Sequence, residues 1–226
     1  KAGVKRVVVT SSIVAMFAHL KTGRFDSSTW TDLNDQYINA YQKSKTIAEK
    51  AAWEFMNDLD DNTQLELSVV NPGAVLGPVL SNDITSESLN ICTQLLTKKM
   101  PGIPNLTIPM VDVRDVAKHH FQAMIHPDAK NKRIISALAT PTDFMEFATT
   151  LKENGYDVPT KRVPTLLLKL LSLFDREARG MLPILDRYVE CDNSETVQLF
   201  DWQPMPLKDT FLDMAKSVQS VLDKTN

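Results

Sequence analysis

Glycine is scarce in this chain, with seven residues in 226, less than half the usual ~7%. There is also no initiator methionine: Lys1-Ala2-Gly3-Val4-Lys5-Arg6 runs straight into an apolar segment, so the sequence reads as a fragment of a longer polypeptide. Cysteine is rarer still. Cys92 and Cys191 form no Cys-x-x-Cys pair and are too few for a disulfide framework, which fits a reducing compartment and two buried thiols. Long apolar runs are missing. The longest, around Val7 to Phe17 and Thr165 to Phe174, fall short of the roughly 18 to 20 residues of a membrane span, and no signal-peptide pattern opens the chain. A basic surplus is absent too: the net charge of -3 and pI near 5.8 exclude nucleic acid or an anionic membrane as the main partner. What remains is a cytoplasmic protein with a small-molecule ligand. Its 43% hydrophobic and 23% charged residues exclude global disorder and suffice for a core plus a lobe.

The pattern of what is present is α/β. Val4 to Thr10 is short, apolar and β-branched, as in a strand buried on both faces of a parallel sheet, and it ends in Ser11-Ser12. Ala18 to Gln36 has no sustained period and reads as an irregular loop. From Tyr37 to Met56, the residues Ile38, Tyr41, Ile47, Ala48, Ala51, Ala52 and Phe55 recur at helical spacing. Leu65 to Asn71 is a second strand, stopped by Pro72-Gly73, which makes a βαβ crossover. A helix over Ser86 to Lys99, a short strand at Leu106 to Val111, a helix after Asp112, a strand at Arg133 to Leu138 and a helix from Thr142 to Asn154 continue the alternation. Beyond Val163 helices dominate, at Thr165 to Phe174, Arg179 to Val189, Asn193 to Leu199 and Leu207 to Leu222.

Three features carry chemistry. Tyr41 and Lys45 stand four apart on the long helix, hence one turn apart on one face. A free tyrosine titrates near ~10, and a neighbouring ammonium favours the phenolate, which brings proton exchange within reach of neutral pH. Ser12 follows the carboxyl end of a strand, where ligands bind in parallel α/β sheets; the plainer role of such a hydroxyl is to cap the next turn. Asn71-Pro72-Gly73-Ala74-Val75-Leu76-Gly77-Pro78 ends the next strand and lets backbone approach a flat ligand. His119-His120 begins no metal pattern, since adjacent helical residues point about 100° apart.

Together these residues resemble the extended short-chain dehydrogenase/reductase superfamily, in its dihydroflavonol reductase and carbonyl reductase branch. VKRVVVTSS is similar to the family strand that carries the active-site serine, and YQKSK to its Tyr-x-x-x-Lys helix. NPGAVLGP resembles its Arg-Pro-x-x-Val-x-Gly-Pro turn, MVDVRDVAKHHFQAM its Val-Asp-Val-x-Asp-Val-Ala helix start, and NSETVQLFDWQPMPLKDTF its closing segment. Asn71 stands where the usual residue is Arg, and Leu199 to Trp202 lacks the usual glycine.

The resemblance implies the carboxyl-terminal part of a Rossmann-like parallel sheet over residues 1–75 and about 112–150, with a smaller, mainly helical substrate-binding lobe over 76–111 and 151–226. It implies NADP, with NAD the other candidate, and hydride transfer to an aldehyde or ketone, or the reverse alcohol oxidation. Tyr41 would donate the proton, Lys45 would hold the nicotinamide ribose, and Ser12 would hold the substrate oxygen. Thr10, Ser11, Pro72, Gly73, Ala74 and Val75 complete the implied cofactor contacts, and Ile13, Met16, Phe17 and Leu80 the substrate wall. A homodimer is an assembly the resemblance allows. A nucleotide-sugar epimerase or dehydratase is the enzymatic alternative, although Ile13-Val14-Ala15 follows Ser12 where dehydratases carry an acidic pair. A non-catalytic cofactor sensor, or an inert fragment, is the alternative of another class.

The family's Gly-x-x-Gly-x-x-Gly pyrophosphate turn does not occur here, which matches the glycine shortage. It would lie in an amino-terminal half supplied by further sequence or by another chain. Without neighbouring strands, Val7, Val8 and Val9 would line an open edge, and burying one such side chain is worth roughly 1.5–3 kcal/mol. The 226-residue chain alone is therefore expected to aggregate and to bind neither NADPH nor NADH. Calorimetric titration checks this, and micromolar binding by the isolated chain would refute it.

Overall fold

The computed structural model describes residues 3–60, 64–174 and 182–225. In chain order the elements are β1 (Arg6–Thr10), α1 (Val14–Phe17), β2 (Thr22–Phe25), α2 (Ala40–Asn57), β3 (Glu66–Pro72), β4 (Ala74–Leu76), α3 (Glu87–Leu96), β5 (Thr107–Ile108) and β6 (Met110–Asp112). They continue with α4 (Val113–Ile125), β7 (Arg133–Ser136), β8 (Thr142–Asp143), α5 (Phe144–Glu153), α6 (Thr165–Leu171), β9 (Tyr188–Cys191), α7 (Ser194–Phe200) and α8 (Leu207–Thr225). Among the described residues no helix is long and apolar enough to cross a membrane. The chain divides into two units, Lys1–Gly73 with Arg114–Thr140 and Val189–Pro204, and Ala74–Val113 with Pro141–Tyr188 and Met205–Asn226.

In the first unit the β-branched runs form a parallel sheet in the order β1-β3-β7, with α2 crossing over between the first two strands. Register aligns Thr10 with Val70 and Asn71 with Ile135, so the carboxyl ends of β1 and β3 lie side by side. The α/β expectation with a parallel sheet holds. The core gathers Ile13, Met16, Phe17, Phe25, Ile135, Ala137, Val189 and Cys191, with the Phe17 and Phe25 rings stacked at 4.8 Å.

Helix α2 starts at Ala40 rather than Tyr37 because Asn39 caps it. The Asn39 side chain accepts the Gln42 N–H at 2.9 Å, and the Gln42 side chain accepts the Asn39 N–H at 2.9 Å. The apolar residues that marked this helix are not its buried face. Ile47 and Phe55 are 55% and 58% exposed, while Gln42, Thr46 and Glu49 are buried. Periodicity located the helix; its inward side is polar.

In the second unit β4 pairs with β6 in parallel and β5 with β8 antiparallel. Cys92, Leu95, Phe147, Leu151, Phe211, Met214 and Val218 form its core, where α3 and α5 pack on α8. The buried Asp112 carboxylate accepts the Thr210 hydroxyl at 2.7 Å and ties α8 to β6. Gly77 has φ +134, and an added Cβ would come within 2.8 Å of Val113 Cγ1, so only glycine fits that turn.

Several expectations change. The loop at 18–36 contains β2, and a helix expected over 179–189 gives way to a 3-10 turn at Leu182–Ile184 and strand β9; residues 175–181 lie outside the described residues. β2 and β9 pair across the length of the chain, a contact that neither strand's short sequence announces. Residues 141–150 join the second unit because Phe147, Ala148 and Leu151 pack with Phe211 and Met214. Residues 189–204 join the first because Val189 and Cys191 fill its core. The glycine missing after α7 is replaced in conformation by Asp201, which closes that helix at φ +47. Both cysteines are buried free thiols, pushed up to about 12 by burial.

His119 is buried on α4, its Nδ1 2.8 Å from Ser136 Oγ and its ring 4.6 Å from Trp202. Burial lowers its pKa to about 4, so the folded state refuses a proton that the unfolded chain takes up below about 6.5. Stability is therefore expected to be full above pH 6.5 and to fall by on the order of 1–2 kcal/mol on acidification to pH 5. The carboxylates held low, such as Asp26 and Glu66, act only at lower pH. Thermal melts of wild type and His119→Gln over pH 5 to 7 check this, with a flatter slope expected for the variant.

Candidate active site

The carboxyl ends of β1 and β3 bring Ser11, Ser12, Pro72 and Gly73 together. Ser11 N–H donates to Val70 O at 2.8 Å and Ile13 N–H to Pro72 O at 3.0 Å, which extends the strand pairing one step past the sheet. Gly73 N–H donates to Ser136 O at 3.0 Å. Ser12 is 9% exposed, and its Oγ accepts the Val14 N–H at 3.3 Å, the capping contact expected of such a hydroxyl. Its own proton has no acceptor among the described residues.

The helix that carries the Tyr-Lys pair is held to these strand ends by one buried carboxylate. Glu49 is 1% exposed. Its Oε2 accepts the Ser11 hydroxyl at 2.5 Å and the Asn71 side-chain amide at 2.7 Å. Its Oε1 accepts Arg133 Nε–H at 2.6 Å and Trp53 Nε1–H at 3.4 Å. Asn71 also donates to Ser12 O at 3.2 Å, so one amide links the carboxylate to the serine backbone. The Arg133 guanidinium continues outward, donating to Ser27 O and Thr29 O at 2.8 and 2.6 Å and lying 3.7 Å from the centre of the Trp30 ring. Both Glu49 oxygens are satisfied, while Arg133 Nη2 and Asn71 Oδ1 are buried without a hydrogen-bond partner among the described residues; removing one partner of a buried ion pair costs about 3–5 kcal/mol.

On the open side of α2, Tyr41 is 57% exposed, and neither its hydroxyl nor the Lys45 ammonium has a partner among the described residues. Both groups are thus free to meet a ligand. Thr10 and Ser11 side chains are committed, Thr10 Oγ1 to His120 Nε2 at 2.7 Å and Ser11 to Glu49, which leaves only their backbone for a cofactor.

The substrate wall is corrected. Ile13, Met16 and Phe17 are 1%, 0% and 7% exposed within the first unit's core, because the four-residue α1 turns them inward against Phe25. Leu80, in the second unit, is 98% exposed. Ala74 and Val75 belong to β4 of that unit, opposite Met110 and Val111. Glu49 and Arg133 were not anticipated. A carboxylate four residues after Lys45 and eight after Tyr41 on one helix is the signal that could have found the first.

A cavity of about 400 Å³ in the first unit borders the outer side of the Glu49 network, lined by Trp30, Trp53, Lys132, Arg133 and Glu195 among others. It contains none of the residues read from the sequence. Its cations are already matched, Arg133 by Glu49 and Lys132 by Glu195, and the Lys132 pairing holds the Glu195 carboxyl below its ordinary range.

No family model matches the chain. A putative uncharacterized oxidoreductase of Saccharomyces cerevisiae, YGL039W, is 28% identical over 98% of this chain and 65% of its own length. The NADPH-dependent methylglyoxal reductase GRE2 of the same yeast is 36% identical over 58% of this chain and 43% of its own length. The solved structure of yeast methylglyoxal/isovaleraldehyde reductase Gre2 complexed with NADPH superposes with a TM-score of 0.72 at 26% identity, over 97% of this chain and 65% of that one. The chain thus spans 43% to 65% of these relatives.

Proposed function

We propose that the chain is part of an extended short-chain dehydrogenase/reductase, a reading supported by its similarity to the yeast reductases, and that the whole protein reduces an aldehyde or ketone with NADPH. The observation that carries this reading is the pairing of a tethered Ser12 with an untethered Tyr41 and Lys45: the backbone is held by the Glu49 network while the reactive groups stay open. Yeast relatives named as reductases support it, as does the family's Tyr-x-x-x-Lys spacing at 41 and 45.

The residues present suit a nicotinamide. Adjacent carboxyl ends of parallel strands form the place where such ligands lie, and Lys45, on the helix that Glu49 ties to them, has no carboxylate partner among the described residues. Lys45 would hold the ribose, with the Pro72 and Gly73 backbone against the nicotinamide. NADPH, when bound, supplies the hydride. The Ser12 hydroxyl donates to the carbonyl oxygen and polarises it. Tyr41 gives its phenolic proton to that oxygen as the new C–H bond forms, so the carbonyl π pair becomes an O–H bond and the phenolate left behind is reprotonated from solvent. In alcohol oxidation the same phenolate removes the proton.

Tyr41→Phe in the full native protein should lower turnover of a generic aldehyde by about 10²-fold or more while leaving the melting temperature nearly unchanged. Unchanged turnover would exclude Tyr41 as the donor. Lys45→Met should raise the KM for NADPH by about tenfold or more, since a hydrogen bond from a charged group to the ribose would be lost. A KM equal to wild type would show that Lys45 takes no part.

A further inference from the structure

The carboxylate of Glu49 is buried, charged and unused by the reaction just described. Nothing in the folding of α2 requires it, since an apolar side chain would fill the same space without the desolvation that a carboxylate suffers. What it does accomplish is specific to geometry. Four donors from four places converge on it: Ser11 at the end of β1, Asn71 at the end of β3, Arg133 at the start of β7, and Trp53 one turn along α2. Hydrogen bonds to a charged acceptor are short and directional, so these contacts resist sliding and rotation of α2 where apolar packing would permit both. Both oxygens are engaged, so neither the strand side nor the Arg133 side can relax without breaking a contact.

We infer that Glu49 is a positioning residue: its carboxylate sets the placement of α2, and with it the Tyr41 hydroxyl, relative to Ser12. This rests on the proposed carbonyl reduction. Proton donation by Tyr41 and hydrogen bonding by Ser12 must reach one oxygen atom together, and a misplacement of about 1 Å can cost about 10²-fold in rate. Lys45 reaches its target through a flexible four-carbon stem and tolerates the same displacement. The signature of a Glu49 defect is therefore a loss in kcat with cofactor affinity retained.

The test uses the full native protein at a temperature well below every variant's melting point. Glu49→Gln keeps the side chain's size but presents an amide to Arg133; it should lower kcat by about 10- to 100-fold while the KM for NADPH stays within about twofold. Phe200→Ala, a buried cavity variant on α7 outside the site, serves as the control for lost stability and should keep wild-type kcat despite a comparable drop in melting temperature. Should Glu49→Gln fail to fold, Ser11→Ala removes a single donor to Oε2 and should show a smaller fall in the same parameter. Wild-type kcat in Glu49→Gln, or in Ser11→Ala where that variant stands in, would overturn the inference, as would a parallel loss of kcat in Phe200→Ala. Tyr41→Phe is run alongside: if it too retains full turnover, the proposed reaction has failed, whereas an inactive Tyr41→Phe with an active Glu49→Gln removes only the role of Glu49.

Discussion

One buried carboxylate organises the first unit. Glu49 lies where α2 crosses the sheet and is bonded to residues of β1, β3 and β7, the three strands of that sheet. Hydrophobic burial alone would leave the helix free to settle in any of several rotations, because apolar contacts are non-directional. Here the inward face is polar, and direction comes from hydrogen bonds. The cost of burying charge is offset by Arg133, whose guanidinium is in turn capped by Trp30 and two backbone carbonyls. Rigidity at the serine and freedom at the tyrosine are thus two results of one arrangement.

The second unit is built on other principles. Its core is aromatic and aliphatic, centred on Phe147, Leu151, Phe211 and Met214, and its short ladders serve mainly to fix loop ends. A buried polar tie, Thr210 to Asp112, joins the last helix to β6. A unit held by non-directional packing can accept changes in side-chain volume that the first unit, with its converging donors, would not.

How much of this was readable beforehand follows from the kind of interaction involved. β1, β3 and β7 are dense β-branched runs, and α2 has a clear period, so local composition identified them and the parallel crossover between β1 and β3. The β2–β9 ladder was invisible because both strands are only four residues long and the partners lie far apart in sequence. Tyr41 and Lys45 were singled out by their spacing, and Ser12 by its place after the carboxyl end of β1. Met16 and Phe17 turn out buried in the core because an apolar residue after a strand's carboxyl end suits a core and a ligand wall equally, and only the fold of α1 separates the two. Glu49 was overlooked because an acidic residue on a helix reads as solvated, and only its contacts reveal otherwise.

The three tryptophans of this chain fall on two of its buried polar centres. Trp30 faces the Arg133 guanidinium, Trp53 donates to Glu49, and Trp202 stands 4.6 Å from the His119 ring. Indole emission depends on nearby charge, and a protonated imidazole quenches it. The protein therefore carries its own optical gauge. Light from Trp30 and Trp53 follows the clamp on α2, while Trp202 signals the moment at which acid reaches the interior.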